Sequence, residues 1–377
     1  MGKVKVLTAR QAADLIKDGD TVTLSGFVAN GIAEALNTAA EERFLETGHP
    51  KDLTLFWVAG TGNKDGSHAD HYAHEGMVKK VIGGHFNFVP KICEMLSENK
   101  IEGYNVPQGA IAQMLRDNAA HKVGTISHVG IGTFADPRNG GGRLSEKTKE
   151  DIVKIIELEG QEQLFYPRIP LDVAFIRGTY ADELGNITLE KEMAPLDATS
   201  QAMAVHNNGG LVVVQVERVV KAGHLDPKLV KIPGIYVDAV VECPADDPKQ
   251  SQSINCTYDP AYAGNTQVPV SSLEPKKLDA KKIIGRRAAM ELKKNVVVNL
   301  GVGVPEWVSS VAAEEGVADE MTLTVECGPV GGVPGGGLRF GGSVNAQAYM
   351  DEGYQFDFYD GGGLDLCFLG LAEVDNN

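Results

Sequence analysis

The chain has 377 residues, 23% charged and 43% hydrophobic, a globular composition too long for one ordinary compact core. Its formal net charge of −16 argues against nucleic acid or an anionic membrane as the main partner. Its cysteines are scattered with no C-x-x-C pair, and no apolar run is long enough to cross a membrane, so a reducing cytoplasmic location and no zinc ribbon are expected.

Thr8-Ala-Arg-Gln11 reads as a capping box opening a helix with Ala12, Ala13, Leu15 and Ile16 on its apolar side. A strand follows over Thr21–Ser25, then Gly26-Phe-Val-Ala-Asn-Gly31 and a helix beginning near Ile32–Leu36. Asp52–Val58 is a second strand, closed by Ala59-Gly-Thr-Gly62. Strands alternating with helices predict an α/β fold with open, largely parallel sheets, in which ligands gather at the carboxyl ends of strands. His68, His71 and His74 are spaced so that they drift round a helix instead of converging. They read as polar surface and capping groups, and no metal site is expected.

Residues 242–280 hold Pro244, Pro248, Pro260, Pro269 and Pro275 among Asp, Gln, Ser and Asn, and read as an extended inter-domain linker. After it the pattern restarts. Ala289–Val308 repeats the helix, strand, glycine turn and helix of residues 12–36. Met321–Gly328 lies over Leu53–Gly60, placing Glu326 on Val58, and Leu364–Leu369 lies over Leu171–Ile176. Two related α/β domains are therefore expected, 1–241 and 281–377. The first runs on through Gly209–Val216, whereas the second reaches Asn377 near the overlay position of Leu184. The second domain is thus expected to be incomplete, finished by missing sequence or by a second polypeptide.

The strand Thr322–Val325 delivers Glu326 into a glycine-rich stretch with no adjacent Lys or Arg. Such a carboxylate is either a nucleophile served by backbone donors or a strand-end side chain in solvent. Asp360-Gly361-Gly362-Gly363-Leu364-Asp365 is either a source of oxyanion-binding N–H groups or a flexible strand-to-strand turn. Gly301-Val-Gly303 before a helix could hold a phosphate. The full dinucleotide fingerprint and its acidic ribose partner are absent, which excludes a nicotinamide enzyme.

Nearly all of the chain resembles the family I coenzyme A transferases, most closely the branch of propionate CoA-transferase and short-chain acyl-CoA:acetate (acetoacetate) transferases. The stretches that carry the resemblance are Ser25-Gly26-Phe-Val, Tyr104-Asn-Val-Pro-Gln108-Gly, Val129-Gly-Ile-Gly-Thr-Phe-x-Asp-Pro-Arg138, Ile176-Arg-Gly-Thr-Tyr-Ala-Asp182, Ile232-Pro-Gly-Ile-Tyr-Val237, Val298-Asn299-Leu-Gly301-Val-Gly303, Thr324-Val-Glu326-x-Gly328 and Gly361-Gly362-Gly-Leu-Asp-Leu366. The resemblance implies that Glu326 carries covalent intermediates and that Gly361 and Gly362 supply a backbone oxyanion donor. It also implies Gly301 and Gly303 in CoA binding, and Gly26, Gln108 and Asn299 in a substrate pocket. Many relatives place an Asn donor where this chain has Trp57-Val58-Ala59, so that donor is absent or replaced. Arg138 and Arg143 either approach a CoA phosphate or sit in solvent. The implied activity is ping-pong transfer of CoA between short-chain acids of the propionate and acetate type, through an acyl-glutamyl anhydride and a glutamyl-CoA thioester. Acyl-CoA and a short-chain carboxylate are then substrates, no cofactor is permanently bound, and the enzyme is a homo-oligomer. The alternatives are an acyl-CoA hydrolase using the same glutamate and a non-catalytic ligand-binding fragment.

Overall fold

The structure is a computed structural model that describes residues 2–270, 274–371, 373 and 374. The chain separates into two compact units, Met1–Glu190 with Leu196–Thr257, and Lys191–Pro195 with Tyr258–Asn377.

The first unit is built on β1 (Lys5–Leu7), β2 (Thr21–Leu24), β3 (Leu53–Trp57), β4 (Val78–Gly83) and β5 (Glu102–Asn105). Strands β6 (Gly124–Ser127), β7 (Lys154–Leu158) and β8 (Gln161–Pro167) form a separate antiparallel sheet. Beyond them come β9 (Val173–Arg177), β10 (Tyr180–Asp182), β11 (Ile187–Thr188), β12 (Leu211–Val216), β13 (Arg218–Val220), β14 (Val230–Ile232) and β15 (Ala239–Glu242). The main sheet has the order β1-β15-β12-β9-β2-β3-β4-β5, and every neighbouring pair in it is parallel. Its helices are α1 (Ala9–Ala13), α2 (Glu34–Thr47), α3 (Pro90–Ser97), α4 (Gln108–Ala119) and α5 (Ala198–Asn207). A parallel sheet covered on both faces needs central strands apolar on both sides. The β9 run Val-Ala-Phe-Ile-Arg and the β12 run Leu-Val-Val-Val-Gln-Val meet that need, and β9 is buried along its whole length. The capping box of α1 forms as the sequence implies: Thr8 Oγ accepts from the Gln11 N–H, and Gln11 Oε1 accepts from the Thr8 N–H.

The second unit carries α6 (Ala280–Ala289), β16 (Val297–Leu300), α7 (Glu306–Glu314), β17 (Thr322–Thr324), β18 (Pro329–Val330), β19 (Val333–Pro334), β20 (Ser343–Val344), β21 (Ala348–Tyr349), α8 (Glu352–Phe358) and β22 (Leu366–Phe368). Its main sheet has the order β21-β18-β17-β16-β22. Strand β16 pairs in parallel with β17 and β22, whereas β18 and β21 join antiparallel. Val298, Leu300, Val308, Met321 and Leu323 form its buried core.

The order β22-β16-β17 matches β9-β2-β3, and the registers agree residue for residue. Thr23 sits between Phe56 and Ala174, and Asn299 between Thr324 and Cys367. The same capping contact recurs: Asp172 accepts from the Thr21 N–H, and Asp365 accepts from the Val297 N–H, both at 2.8 Å. Residues 242–280 depart from a single extended linker. Up to Thr257 they pack in the first unit, where Gln250, Gln252 and Ser253 are buried and Gln250 Oε1 accepts from Gln215 at 2.7 Å. From Tyr258 they belong to the second unit, where Val268 exchanges two hydrogen bonds with the Asn345 side chain. The polar residues that suggested a solvated spacer instead satisfy buried groups. Residues 271–273 lie outside the described residues.

Candidate active site

Strands β17, β16 and β22 run parallel, so register partners project to the same face. Thr324, Asn299 and Cys367 therefore form a row across the sheet at its carboxyl edge. Glu326 lies two residues beyond the end of β17 and is partly buried. Asn299 Nδ2 donates to Glu326 Oε2 at 3.0 Å. Among the described residues no cation pairs with this carboxylate. Burial raises the Glu326 carboxyl above the ordinary glutamate range, while the Asn299 amide and the glutamate's own backbone N–H pull it back down.

Helix α8 and the residue that caps its end lay two further polar side chains, Gln355 and Tyr359, over the row. Tyr359 Oη donates to Thr324 Oγ at 2.6 Å and accepts from Gln355 Nε2 at 2.8 Å. Its oxygen is 3.5 Å from Asn299 Nδ2. Burial, with a smaller contribution from the Glu326 charge, pushes the phenol up to about 12, so it stays protonated at neutral pH. The Cys367 thiol points at Asn299 Oδ1 across 3.7 Å, and burial with the Glu326 charge raises it also. Cys327, the neighbour of Glu326, is fully buried and donates to the Gly341 carbonyl.

The remaining expected residues are placed as follows. Gly301 donates to the Phe368 carbonyl at 2.9 Å, and Gly303 donates to Glu306 Oε1 at 2.7 Å. Both amides of the expected phosphate turn are thus engaged within the chain, the second by a buried internal carboxylate that also accepts from Gly337 at 2.9 Å. Gly361 and Gly362 are exposed in the widened turn that follows α8, where Gly362 has φ 89°. The strand-to-strand turn expected there is a helix-to-strand turn, because Glu352–Phe358 is helical. Gly26 and Gln108 belong to the first unit. Gly26 has φ 144°, and a Cβ there would lie 2.3 Å from Thr61 Oγ, so the position requires glycine. Gln108 is the first residue of α4. In place of the Asn donor, Trp57 is buried with its indole N–H on the His85 carbonyl. Arg138 pairs with Asp136 and Glu162, and Arg143 with Asp151, which places neither arginine free in solvent.

The three histidines lie in or just after a short 3₁₀ turn. His68 is buried between Ser25 O and Thr61 Oγ, and burial holds it at about 4 and neutral. His71 bridges Glu34 and Glu41, and His74 reaches Glu41. Among the described residues no group of His, Cys, Asp and Glu is arranged to hold a metal, and no helix is long and apolar enough to cross a membrane.

Comparison with known proteins bears on this site. Residues 6–243 match the family model described as Coenzyme A transferase. The chain is 44% identical over 379 residues to acetate CoA-transferase YdiF of Escherichia coli K12, covering all of this chain and 70% of that protein. It is 42% identical over 371 residues to caffeate CoA-transferase of Acetobacterium woodii, covering 98% of this chain and 71% of that one. The crystal structure of the acyl-CoA transferase YdiF from E. coli O157:H7 as a thioester complex with CoA superposes with a TM-score of 0.91 at 42% identity, over all of this chain and 74% of that one. The α/β fold, the matched model and identity along the full chain together establish that this chain belongs to the coenzyme A transferase family.

Proposed function

We propose that the chain carries the nucleophile of an acyl-CoA:carboxylate CoA-transferase acting on short-chain acids of the acetate and propionate type, and that Glu326 is that nucleophile. The observation that carries the proposal is a partly buried carboxylate at the carboxyl edge of three parallel strands, held by one amide donor and unpaired with any cation among the described residues. Such a group keeps a lone pair for attack and is not neutralised by an ion pair. The name of one similar protein, an acetate CoA-transferase, supports a short-chain acid, while that of the other, a caffeate CoA-transferase, supports only a carboxylate acceptor.

Glu326 attacks the thioester carbonyl of acyl-CoA and expels the CoA thiolate, leaving an acyl-glutamyl anhydride. The thiolate then attacks the glutamyl carbonyl, forming a glutamyl-CoA thioester and releasing the first acid. A second carboxylate runs both steps in reverse. Thioester energy is conserved because no step gives the acyl group to water, so the site must exclude water while the intermediates persist. Asn299 stabilises the attacking carboxylate and then faces the oxygen on which charge develops. Gly361 and Gly362 are the proposed source of a backbone donor to that oxyanion. Gly301 and Gly303 shape the turn after β16. The CoA chain binds remote from the reacting atoms and helps drive anhydride formation.

The test is chemical. A glutamyl-CoA thioester is reduced by borohydride and a free carboxylate is not. Acyl-CoA followed by borohydride should inactivate the enzyme and convert Glu326 to the corresponding alcohol, found by peptide mapping. An acyl group on Cys327 with Glu326 unmodified would overturn the assignment.

A further inference from the structure

We propose that Tyr359 is a positioning residue that keeps the Asn299 amide turned with its N–H toward Glu326 throughout the reaction cycle. The proposal rests on the glutamate mechanism above and adds a residue to it.

Thr324 Oγ gives its own proton to the Val298 carbonyl at 2.9 Å, so its oxygen can only accept from Tyr359. The phenol's one proton is therefore committed to Thr324, and its oxygen also accepts from Gln355. Gln355 and Thr324 are both buried, which keeps water from competing for these bonds. Tyr359 is left with a lone pair facing Asn299 Nδ2, at the outer limit of hydrogen-bond distance. At the other end of the amide, the Cys367 thiol faces Oδ1 as a donor. The NH2 thus has an acceptor on both sides, Glu326 and Tyr359, and the carbonyl has a donor. A flipped amide would set Oδ1 against two oxygen atoms and NH2 against the thiol.

While Glu326 is ionised, its charge alone draws the Asn299 N–H. Once Glu326 is acylated or carries CoA, that charge is gone, and the next attack on its carbonyl needs the same N–H for the developing oxyanion. The phenol does not change charge at any step, because burial pushes it up to about 12, far above neutral pH. It can therefore hold the amide in the states where the glutamate cannot.

Tyr359→Phe removes the lone pair and leaves the ring in place. The expected result is a roughly tenfold loss of kcat for CoA exchange, a KM for acyl-CoA within about twofold, and a longer-lived glutamyl-CoA thioester in single turnover. In an Asn299→Ala background the same substitution should cost less than about twofold, because the group it positions is gone. Thr324→Val keeps the side-chain shape and frees the phenol proton to turn toward Asn299, so it should show the same loss and the same dependence on Asn299. An unchanged kcat in Tyr359→Phe would overturn the proposal. So would an equal loss with and without Asn299, which marks a merely structural role. If Tyr359→Phe does not fold, the Thr324→Val pair decides by the same criterion. Borohydride trapping at Glu326 in the unsubstituted enzyme is read separately; its absence would remove the mechanism on which the proposal rests, whatever Tyr359→Phe does.

Discussion

Glu306 offers a stability test because its carboxylate joins two segments flanking the site. It accepts from Gly303, in the turn after the Asn299 strand, and from Gly337, in the excursion that follows Glu326. Glu306→Ala removes both bonds. Each backbone donor to a charged acceptor contributes about 1.5 kcal/mol at the lower end of its range, appropriate because both glycines are exposed and water can replace the lost acceptor. The two together contribute about 3 kcal/mol. Against this, the substitution relieves a carboxylate that burial disfavours, holding it above its usual range despite the two N–H groups, so the two bonds set an upper bound on the cost. A net cost of about 1.4 kcal/mol within that bound is a tenfold change in a local opening equilibrium. Hydrogen exchange read by mass spectrometry on peptides spanning residues 297–314 measures it locally, without assuming that the two units unfold together. Glu306→Gln, which keeps one acceptor, should fall about midway. Exchange less than about threefold faster in Glu306→Ala would refute the reasoning, since the two bonds would then contribute nothing net.

Asn299→Ala should raise the acid limb of the kcat/KM profile, because it removes the side-chain donor that lowers the Glu326 carboxyl; an unmoved limb would show that the amide does not act on the ionised form. Glu326→Gln should be more stable than the parent at neutral pH. A carboxyl raised by folding stabilises fully below about 4.3, the ordinary glutamate value, and loses that contribution as pH rises through its folded value. The gain in thermal midpoint should therefore vanish in acid. His71 is the opposite case in charge and the same in sign: burial lowers it, but Glu34 and Glu41 outweigh burial and raise it. His71→Gln should cost more stability at about pH 6 than at about pH 9, since the imidazolium contribution is complete below about 6.5 and lost above its raised value. Cys327→Ala should retain most exchange activity, because the thiol is buried on a backbone carbonyl; loss of exchange without loss of folding would reopen its role.

Glu326 stood out in the sequence because it lies just past the end of a short β-branched run beside glycines, a pattern that marks a strand's carboxyl edge, whereas Asn299 entered only through the family resemblance. The strand overlay was legible for the same reason, since the parallel register later aligns Thr23 with Asn299 and Phe56 with Thr324. Tyr359, Gln355 and Cys367 were not read as site residues. Cys367 arrives on β22 as the register partner of Asn299, while Gln355 and Tyr359 arrive through a helix that the sequence disguises: Glu352–Phe358 contains Gly353 and aromatic residues of poor helix propensity and runs into three glycines. A signal was present, because Gln355 and Tyr359 are spaced by one helical turn behind Asp351 at the helix start. The partners Glu162 of Arg138, Asp151 of Arg143 and Gly337 of Glu306 depend on segments brought together in three dimensions, and no local pattern announces them.

The shared register of β16 with β17 and β22 limits how this site can change. Side chains alternate faces along a strand, so one inserted or deleted residue in Val297–Leu300 would turn Asn299 to the far side of the sheet and bring a neighbouring aliphatic residue against Glu326. Length is therefore frozen on the strands that carry the reacting groups. Between Gly328 and Met350 the chain instead makes short antiparallel pairs and glycine turns, Val333 with Val344 and Pro334 with Ser343, where extra residues can be absorbed without moving Asn299. Variation in the acids accepted by related enzymes should accordingly map to insertions in that excursion and to substitutions on the three strands.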